Sequence, residues 1–349
     1  MTSAGRVTLQ RHHFTCRACS LSGYLGDQWL GCETFLSKRM RRLACLETSD
    51  SSFAKSAEKL HEYCGIDVSA EVLRKYCEQE GKQMAQWQPQ SARVAETFAQ
   101  AVGELEFTMD AGKANTLTGW RDLKIAIFAK RPPGESATVA EWATRTLPDV
   151  TARTMMAAVE PIEEFQKRLR PLAAHLGIRD ANQVYSLGDG AEWIWNTADS
   201  CFPGGPQSLD VYHGHEHIGD TSKALYGEGT PEAQTSFERG QTLLVAAGWP
   251  GMCDYMAEEL AKSDTPERRG ILENMLGYFA KHSTRLAYEQ RLAEGRPIGS
   301  GMVEGGAKTL GLRLKARGAR WRVENVDRMA GLCCLRHSTY WNAYWASAN

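Results

Sequence analysis

Hydrophobic and polar positions alternate most cleanly from residue 105 to 110, where Leu105, Phe107 and Met109 interleave with Glu106, Thr108 and Asp110. A period of two predicts a half-buried β-strand, here ending on a carboxylate. Trp120 to Lys130 (WRDLKIAIFAK) predicts another strand, and Val184 to Trp195 (VYSLGDGAEWIW) contains a further one. Ser208 to Tyr212 predicts a short strand running into a polar helix that begins near His213. Elsewhere the period is helical. Phe53, Ala57 and Leu60 mark one helix; after Gly65-Ile66-Asp67, Ser69 caps a second with Val72, Leu73 and Tyr76, closed by Gly81. Residues 83–90 read as a linker, residues 136–176 as helical, and residues 221–294 as helices broken at sites such as Gly248-Trp249-Pro250-Gly251. Last comes Arg296 to Trp321, where Val303, Ala307, Leu310 and Leu314 line one face of a helix. Glu304, Lys308, Gly311 and Lys315 share the adjacent face. The order of elements predicts an α/β protein.

Composition changes this picture little. The chain has 349 residues, 42% hydrophobic and 24% charged, with a formal net charge of -1. Such values suit a soluble globular protein with two or three domains. No apolar run reaches the roughly 18 residues of a membrane span, so a cytoplasmic location is expected. Charge is unevenly placed: from Arg296 to Arg336 there are nine Lys/Arg and three Asp/Glu. That local excess suits a polyanionic partner. The ten cysteines are scattered, unlike a disulfide framework, and Cys45, Cys64 and Cys77 fall in helical patterns as expected core residues.

Several motifs carry chemistry. Asp110 at a strand end, Asp189 in LGDG and Glu304 at a helix head are hard oxygen donors of the type magnesium takes. Spacing alone does not show that they meet. His213, Glu216 and His217 spell His-x-x-Glu-His, the order of inverted zinc peptidases, which offers a zinc-dependent hydrolase as an alternative. Cys16-x-x-Cys19 is half of a zinc site that Cys32, His12 or His13 would have to complete. Residues 53–84 have the length of a helix-turn-helix, with Arg74 and Lys75 on the second helix.

Taken in order, the Asp110 strand, GWRDLKIAIFAKR, LGDGAEWIW, LDVYHGHEH and RPIGSGMVEGGAKTLGLRLKARGARW resemble bacterial insertion-sequence DDE transposases of the ISKra type, in the Mutator-like superfamily. The resemblance runs from about residue 20 to the C-terminus. It implies an RNase H-like core, a mixed sheet flanked by helices, with an all-helical insertion and an N-terminal helical DNA-binding region. In that fold an Asp on the first strand, an Asp after the fourth and a Glu on a late helix surround two magnesium or manganese ions. Those positions are Asp110, Asp189 and Glu304, acting as metal ligands and catalytic residues. The implied organisation is a zinc-ribbon remnant over 1–45, a helix-turn-helix-like region and linker over 46–100, core over 101–220, insertion over 221–295 and core again over 296–349. Only the second half of the ribbon, Cys16 and Cys19, is present, so an N-terminally truncated copy is expected, with zinc held there if the site is complete. Asp110 is followed by Ala111-Gly112, where the family pattern has Gly directly after the Asp. The family's Cys/Asp-x-x-His motif matches Asp210 and His213, implying a supporting role near the scissile phosphate. The implied activity is metal-dependent cleavage and transfer of DNA strands at element ends. Lys308, Arg313, Lys315, Arg317 and Arg320 would hold phosphates and Trp321 would stack on a displaced base. Partners would be end repeats and target DNA, bound by a homodimer or higher oligomer. A catalytically inactive DNA-binding remnant is the other alternative.

Overall fold

The computed structural model describes residues 1–24 and 34–347. A small antiparallel hairpin, β1 (His13–Thr15) and β2 (Ser22–Tyr24), opens the chain. Four helices follow: α1 (Lys38–Thr48), α2 (Phe53–Cys64), α3 (Ala70–Trp87) and α4 (Ala92–Gln100). Ser37, Ser52 and Ser69 each accept a backbone N–H at the start of the helix they precede, which sets where α1, α2 and α3 begin.

Five strands form the central sheet: β3 (Glu104–Thr116), β4 (Gly119–Arg131), β5 (Ala152–Ala158), β6 (Val184–Gly188) and β7 (Gln207–Leu209). Their spatial order is β5-β4-β3-β6-β7. The β3–β4 and β4–β5 pairs are antiparallel, whereas β3–β6 and β6–β7 are parallel. Helices α5 (Ile162–His175) and α6 (Glu192–Cys201) connect the later strands. From β7 the chain enters α7 (Val211–Tyr226), α8 (Pro231–Lys262), which bends at Gly248, α9 (Pro266–Lys281) and α10 (Tyr288–Ala293). It then returns to the sheet as α11 (Gly301–Leu314), and α12 (Val323–Arg336) and α13 (Trp341–Ser347) complete it. The described residues thus form a mixed α/β protein with thirteen helices around one five-stranded sheet.

Two hydrophobic cores organise these elements. One runs from Leu36 through the sheet to Trp345 and includes Leu73, Phe107, Ile127, Leu310 and Leu332. The other lies among α7 to α10, around Ile218, Leu244, Tyr255 and Phe279. The helical stretch before Glu304 therefore has its own apolar centre.

Several sequence expectations are corrected. Residues 136–176 are not continuously helical, because β5 occupies Ala152–Ala158. Its ARTMMAA run pairs with β4 and is buried on both faces, so it shows none of the alternation that marks a half-buried strand. Gly81 does not end a helix; α3 continues to Trp87, and the linker shrinks to a few residues before α4. The glycine serves a close crossing instead. A Cβ at Gly81 would lie 2.0 Å from the Arg328 carbonyl oxygen of α12, and Gly331 faces Gly81 from that helix. Val184–Trp195 splits into β6 and the start of α6. Cys45 and Cys77 are buried as expected, but Cys64 is exposed at the end of α2.

Candidate active site

The register of β3 and β6 places two of the three carboxylates. Thr108 stands opposite Leu187 in the parallel pair. Two residues further along each chain come Asp110, still on β3, and Asp189, just past the end of β6. Asp189 lies just beyond the paired stretch and close enough to Asp110 to raise its carboxyl. From here the chains diverge. β3 continues beside β4 to Thr116, whereas β6 stops at Gly188 and turns towards α6. Gly190 makes that turn at φ +99°, where an added Cβ would lie 2.7 Å from the Tyr278 hydroxyl. The departure of β6 leaves the β3 edge unpaired at Asp110.

Helix α11 brings the third carboxylate. It packs on β3 and β4, with Gly306 seated against Ile127 and Met155. Ile127 is the β4 partner of Thr108, so α11 covers the face that carries Asp110. Val303, Leu310 and Leu314 are buried, while Glu304 is half-buried and Lys308 exposed. Burial pushes the Asp110 carboxyl up, Asp189 raises it further, and the Ala111 N–H, His213 and Lys315 oppose both. Glu304 is likewise raised, first by burial, then by Asp210 and Asp110, against His213 and Lys308. Asp110 is thus within electrostatic reach of both Asp189 and Glu304, and His213 of both Asp110 and Glu304.

Asp210 lies close enough to Glu304 to raise its carboxyl. It is fully buried. Its Oδ1 caps α7 by accepting the Tyr212 N–H at 2.6 Å, and its Oδ2 accepts both the N–H and the hydroxyl of Ser300 at 2.5 Å. The Asp210 N–H donates to the Gly188 carbonyl at 2.8 Å, and Val211 N–H to that of Ile298 at 3.0 Å. One residue therefore ties the end of β6, the start of α7 and the head of the Glu304 helix together. Asp210 is a positioning residue.

The sequence reading missed groups that the helical segment brings to Asp189. Tyr278 and His282 lie beside Gly190, and the His217 ring stacks on Tyr278 at 3.6 Å. Burial, followed by Asp189 and Asp210, drives the Tyr278 phenol upward, and burial lowers His282 to about 4. No local motif marks either residue, because both reach the site from α9 and its C-cap.

Among the described residues, no three His, Cys, Asp or Glu side chains stand close enough to hold a metal ion. Asp110 Oδ1 accepts its neighbour's N–H, from Ala111, at 2.6 Å, and Asp189 Oδ1 accepts from Ala191 at 2.9 Å. The donor types are those a hard divalent cation takes, and two of the three carboxyls, Asp110 and Glu304, are raised by burial and by neighbouring carboxylates. For the peptidase alternative, Glu216 pairs with His213 at 3.1 Å while His217 stacks on Tyr278. Cys16 and Cys19 are exposed at the β1–β2 hairpin, where backbone N–H groups of Cys19 and Ala18 lower the Cys16 thiol. Cys32 lies outside the described residues. His12 and His13 are exposed near the hairpin.

The residues expected to contact DNA divide in two. Lys308, Lys315, Arg317 and Arg320 are exposed in the α11 region, and Lys75 is exposed on α3. Arg313 and Trp321 are corrected. Arg313 is 2% exposed, donates to the Thr48 carbonyl at 2.6 Å and lies over the Phe53 and Trp321 rings. The Trp321 indole donates to the Leu314 carbonyl at 2.9 Å within the core, beside the β3–β4 hairpin. Both hold elements together rather than face a ligand. Arg74 already pairs with Glu71 and Glu78, which leaves little charge for a phosphate.

The raised carboxyls have a consequence for stability. A carboxyl whose folded pKa is raised keeps its proton in the folded chain after the unfolded chain has released it. Stability therefore falls as pH climbs from the ordinary carboxylate range through the raised values, and the full penalty remains at neutral pH. Asp110→Asn removes part of it. The variant is expected to melt above wild type at pH 7 without divalent ions, with the gap closing below about pH 4. Magnesium should raise the wild-type Tm more than the variant's. Identical melting of wild type and variant under all three conditions would show that Asp110 carries no such repulsion.

In comparison with known proteins, the chain matches no family model and no curated protein. Among its described residues, no helix is long and apolar enough to cross a membrane.

Proposed function

We propose that the chain is a DDE-type DNA transposase, cutting and joining DNA strands at the ends of an insertion sequence. The observation that carries this reading is the approach of Asp110 on β3, Asp189 just past β6 and Glu304 on α11, with Asp110 within electrostatic reach of the other two. Asp110 lies on the first strand of the central sheet and Asp189 after the fourth, while Glu304 lies on a late helix that follows a helical segment with its own core. That arrangement supports an RNase H-like core with an all-helical insertion.

Asp110, Asp189 and Glu304 would hold two magnesium or manganese ions. When bound, such ions supply Lewis-acid polarisation and neutralise charge at a phosphodiester. The chain's own groups do the rest. Lys308 and Lys315, beside Glu304 and Asp110, attract and orient the phosphate backbone. His213 is an imidazole within electrostatic reach of both Asp110 and Glu304. Asp210 holds α11 in register with β6. In cleavage a water oxygen bonds to phosphorus and the element strand leaves with a 3′-hydroxyl. In joining, that hydroxyl attacks a target phosphorus in line and a target 3′-hydroxyl leaves.

The test is incubation of the purified chain with a duplex carrying the DNA that borders its gene. Magnesium-dependent nicking that leaves 3′-hydroxyl ends, and stops on chelation, is the expected result. Protein that binds this duplex but never cuts it under magnesium or manganese would instead favour an inactive DNA-binding remnant.

A further inference from the structure

At the sheet edge opposite β7, side chains close the outer backbone of β5. Thr339 Oγ1 accepts the Arg153 N–H at 2.8 Å, Ser338 Oγ that of Met155 at 3.0 Å and Asp327 Oδ1 that of Val159 at 2.8 Å. The Gln88 amide donates to the Met155 carbonyl at 2.9 Å. Such cover is what an edge strand needs. Ala157 faces the same edge, because backbone groups of a paired strand alternate between the partner and the outside. It lines a cavity of about 320 Å³ instead, bounded by α3, β5, α5 and α12, so its N–H and C=O open there.

Two further groups point to a ligand. Gln88 is 6% exposed and lines the cavity, yet its Oε1 has no hydrogen-bond partner. With Nε2 committed to Met155, that oxygen is left to accept, and a buried acceptor without a donor is costly. On α5, Pro171 lies inside the helix and has no N–H for the Lys167 carbonyl one turn before it. Both residues line the cavity. Much of the remaining wall is apolar, including Met84, Met156 and Leu172, and methionines adapt to the shape of what they cover. Charges at the mouth are matched, Lys167 with Glu164 and Arg168 with Glu160. The Cys334 thiol is pushed up by burial and stays neutral. A lone water would leave most of this volume empty against apolar walls.

We propose that this cavity binds a small neutral molecule with an apolar body and a primary amide head. The amide NH₂ donates to Gln88 Oε1 and to the Lys167 carbonyl, and the amide oxygen accepts the Ala157 N–H. The body packs against Met84, Met156 and Leu172. A carboxylate of the same shape would set its oxygens against two acceptors, and a ketone would leave both unpaired. The site lies two strands away from β3 and shares no residue with the Asp110, Asp189 and Glu304 group, so it stands apart from the transposase reading. Because α3 and the turn after it form one wall and β5, α5 and α12 the others, an occupant ties the N-terminal helices to the sheet.

Benzamide is the probe, with benzoate and acetophenone as controls of matched shape, and ligand-observed NMR on the full chain measures binding. Wild type is expected to hold benzamide about tenfold more tightly than either control. Gln88→Leu should bind benzamide and acetophenone alike. Ala85→Phe, at an exposed position on the cavity rim, should fill the opening and weaken benzamide binding about tenfold. Equal binding of the three compounds by wild type, or a preference for benzamide that survives in folded Gln88→Leu, would overturn the proposal. Benzamide bound by Ala85→Phe as tightly as by wild type would place it elsewhere and overturn the proposal too.

Discussion

Asp189→Asn is expected to cut element-end DNA about 10³-fold more slowly than wild type under magnesium, with binding of the same duplex little changed. Asp110→Asn and Glu304→Gln should behave alike. The size follows from what each carboxylate does. Losing one ligand charge weakens the ion and removes several kcal/mol of charge stabilisation where a phosphodiester opens, and about 4 kcal/mol is a thousandfold in rate. Because the three act as one unit, combining the substitutions should add little to the first. Binding is spared because the exposed cations of the α11 region, Lys308, Lys315, Arg317 and Arg320, remain. Electrophoresis of end-labelled duplex over a time course measures both quantities. Any single variant that cuts at the wild-type rate leaves the catalytic set.

Asp210→Asn should slow the same reaction by about 10²-fold although Asp210 touches no substrate. Its two carboxylate oxygens face only donors, the Tyr212 N–H on one side and the Ser300 N–H and hydroxyl on the other. An amide in either orientation presents its NH₂ group to one of them. The head of α11 must then shift, and a displacement near 1 Å of Glu304 relative to Asp189 is enough for that loss. Ser300→Ala removes only the hydroxyl bond and should cost less, about tenfold or under. The signature of positioning is a fall in kcat with little change in KM, partly restored by raised manganese. Unchanged kcat in Asp210→Asn would show that the Asp210–Ser300 contact does not set the geometry of the site.

Local pattern made some of this molecule legible. The alternation of Leu105 to Asp110 marks β3, and the Val303, Leu310 and Leu314 spacing marks the buried face of α11. A break at Gly248 is the bend in α8. What escaped has physical causes. β5 is buried on both faces, so its period carries no signal, and its alanines and methionines suit a helix equally well. Gly81 looked like a stop because a glycine usually ends a helix; here it admits the α12 backbone, a demand set by residues some 250 positions away. Arg313 and Trp321 fell in a basic stretch and were read as surface, but the α2 start and the β3–β4 hairpin cover them. Of the candidate site, the order of motifs singles out Asp110, Asp189 and Glu304 as candidates. The tie from Asp210 to Ser300 and the approach of Tyr278 and His282 were not, since each joins segments that only the fold brings together.

Counting bound manganese tests the central claim most directly, because the claim is that Asp110, Asp189 and Glu304 form one divalent-metal site. Manganese titrated into the chain with element-end DNA present, followed by electron paramagnetic resonance of the free ion, is expected to show two ions held by wild type. Asp189→Asn should hold at most one, weakly. Two ions bound equally by wild type and by the Asp110→Asn, Asp189→Asn and Glu304→Gln variants, or none bound by wild type, would contradict it.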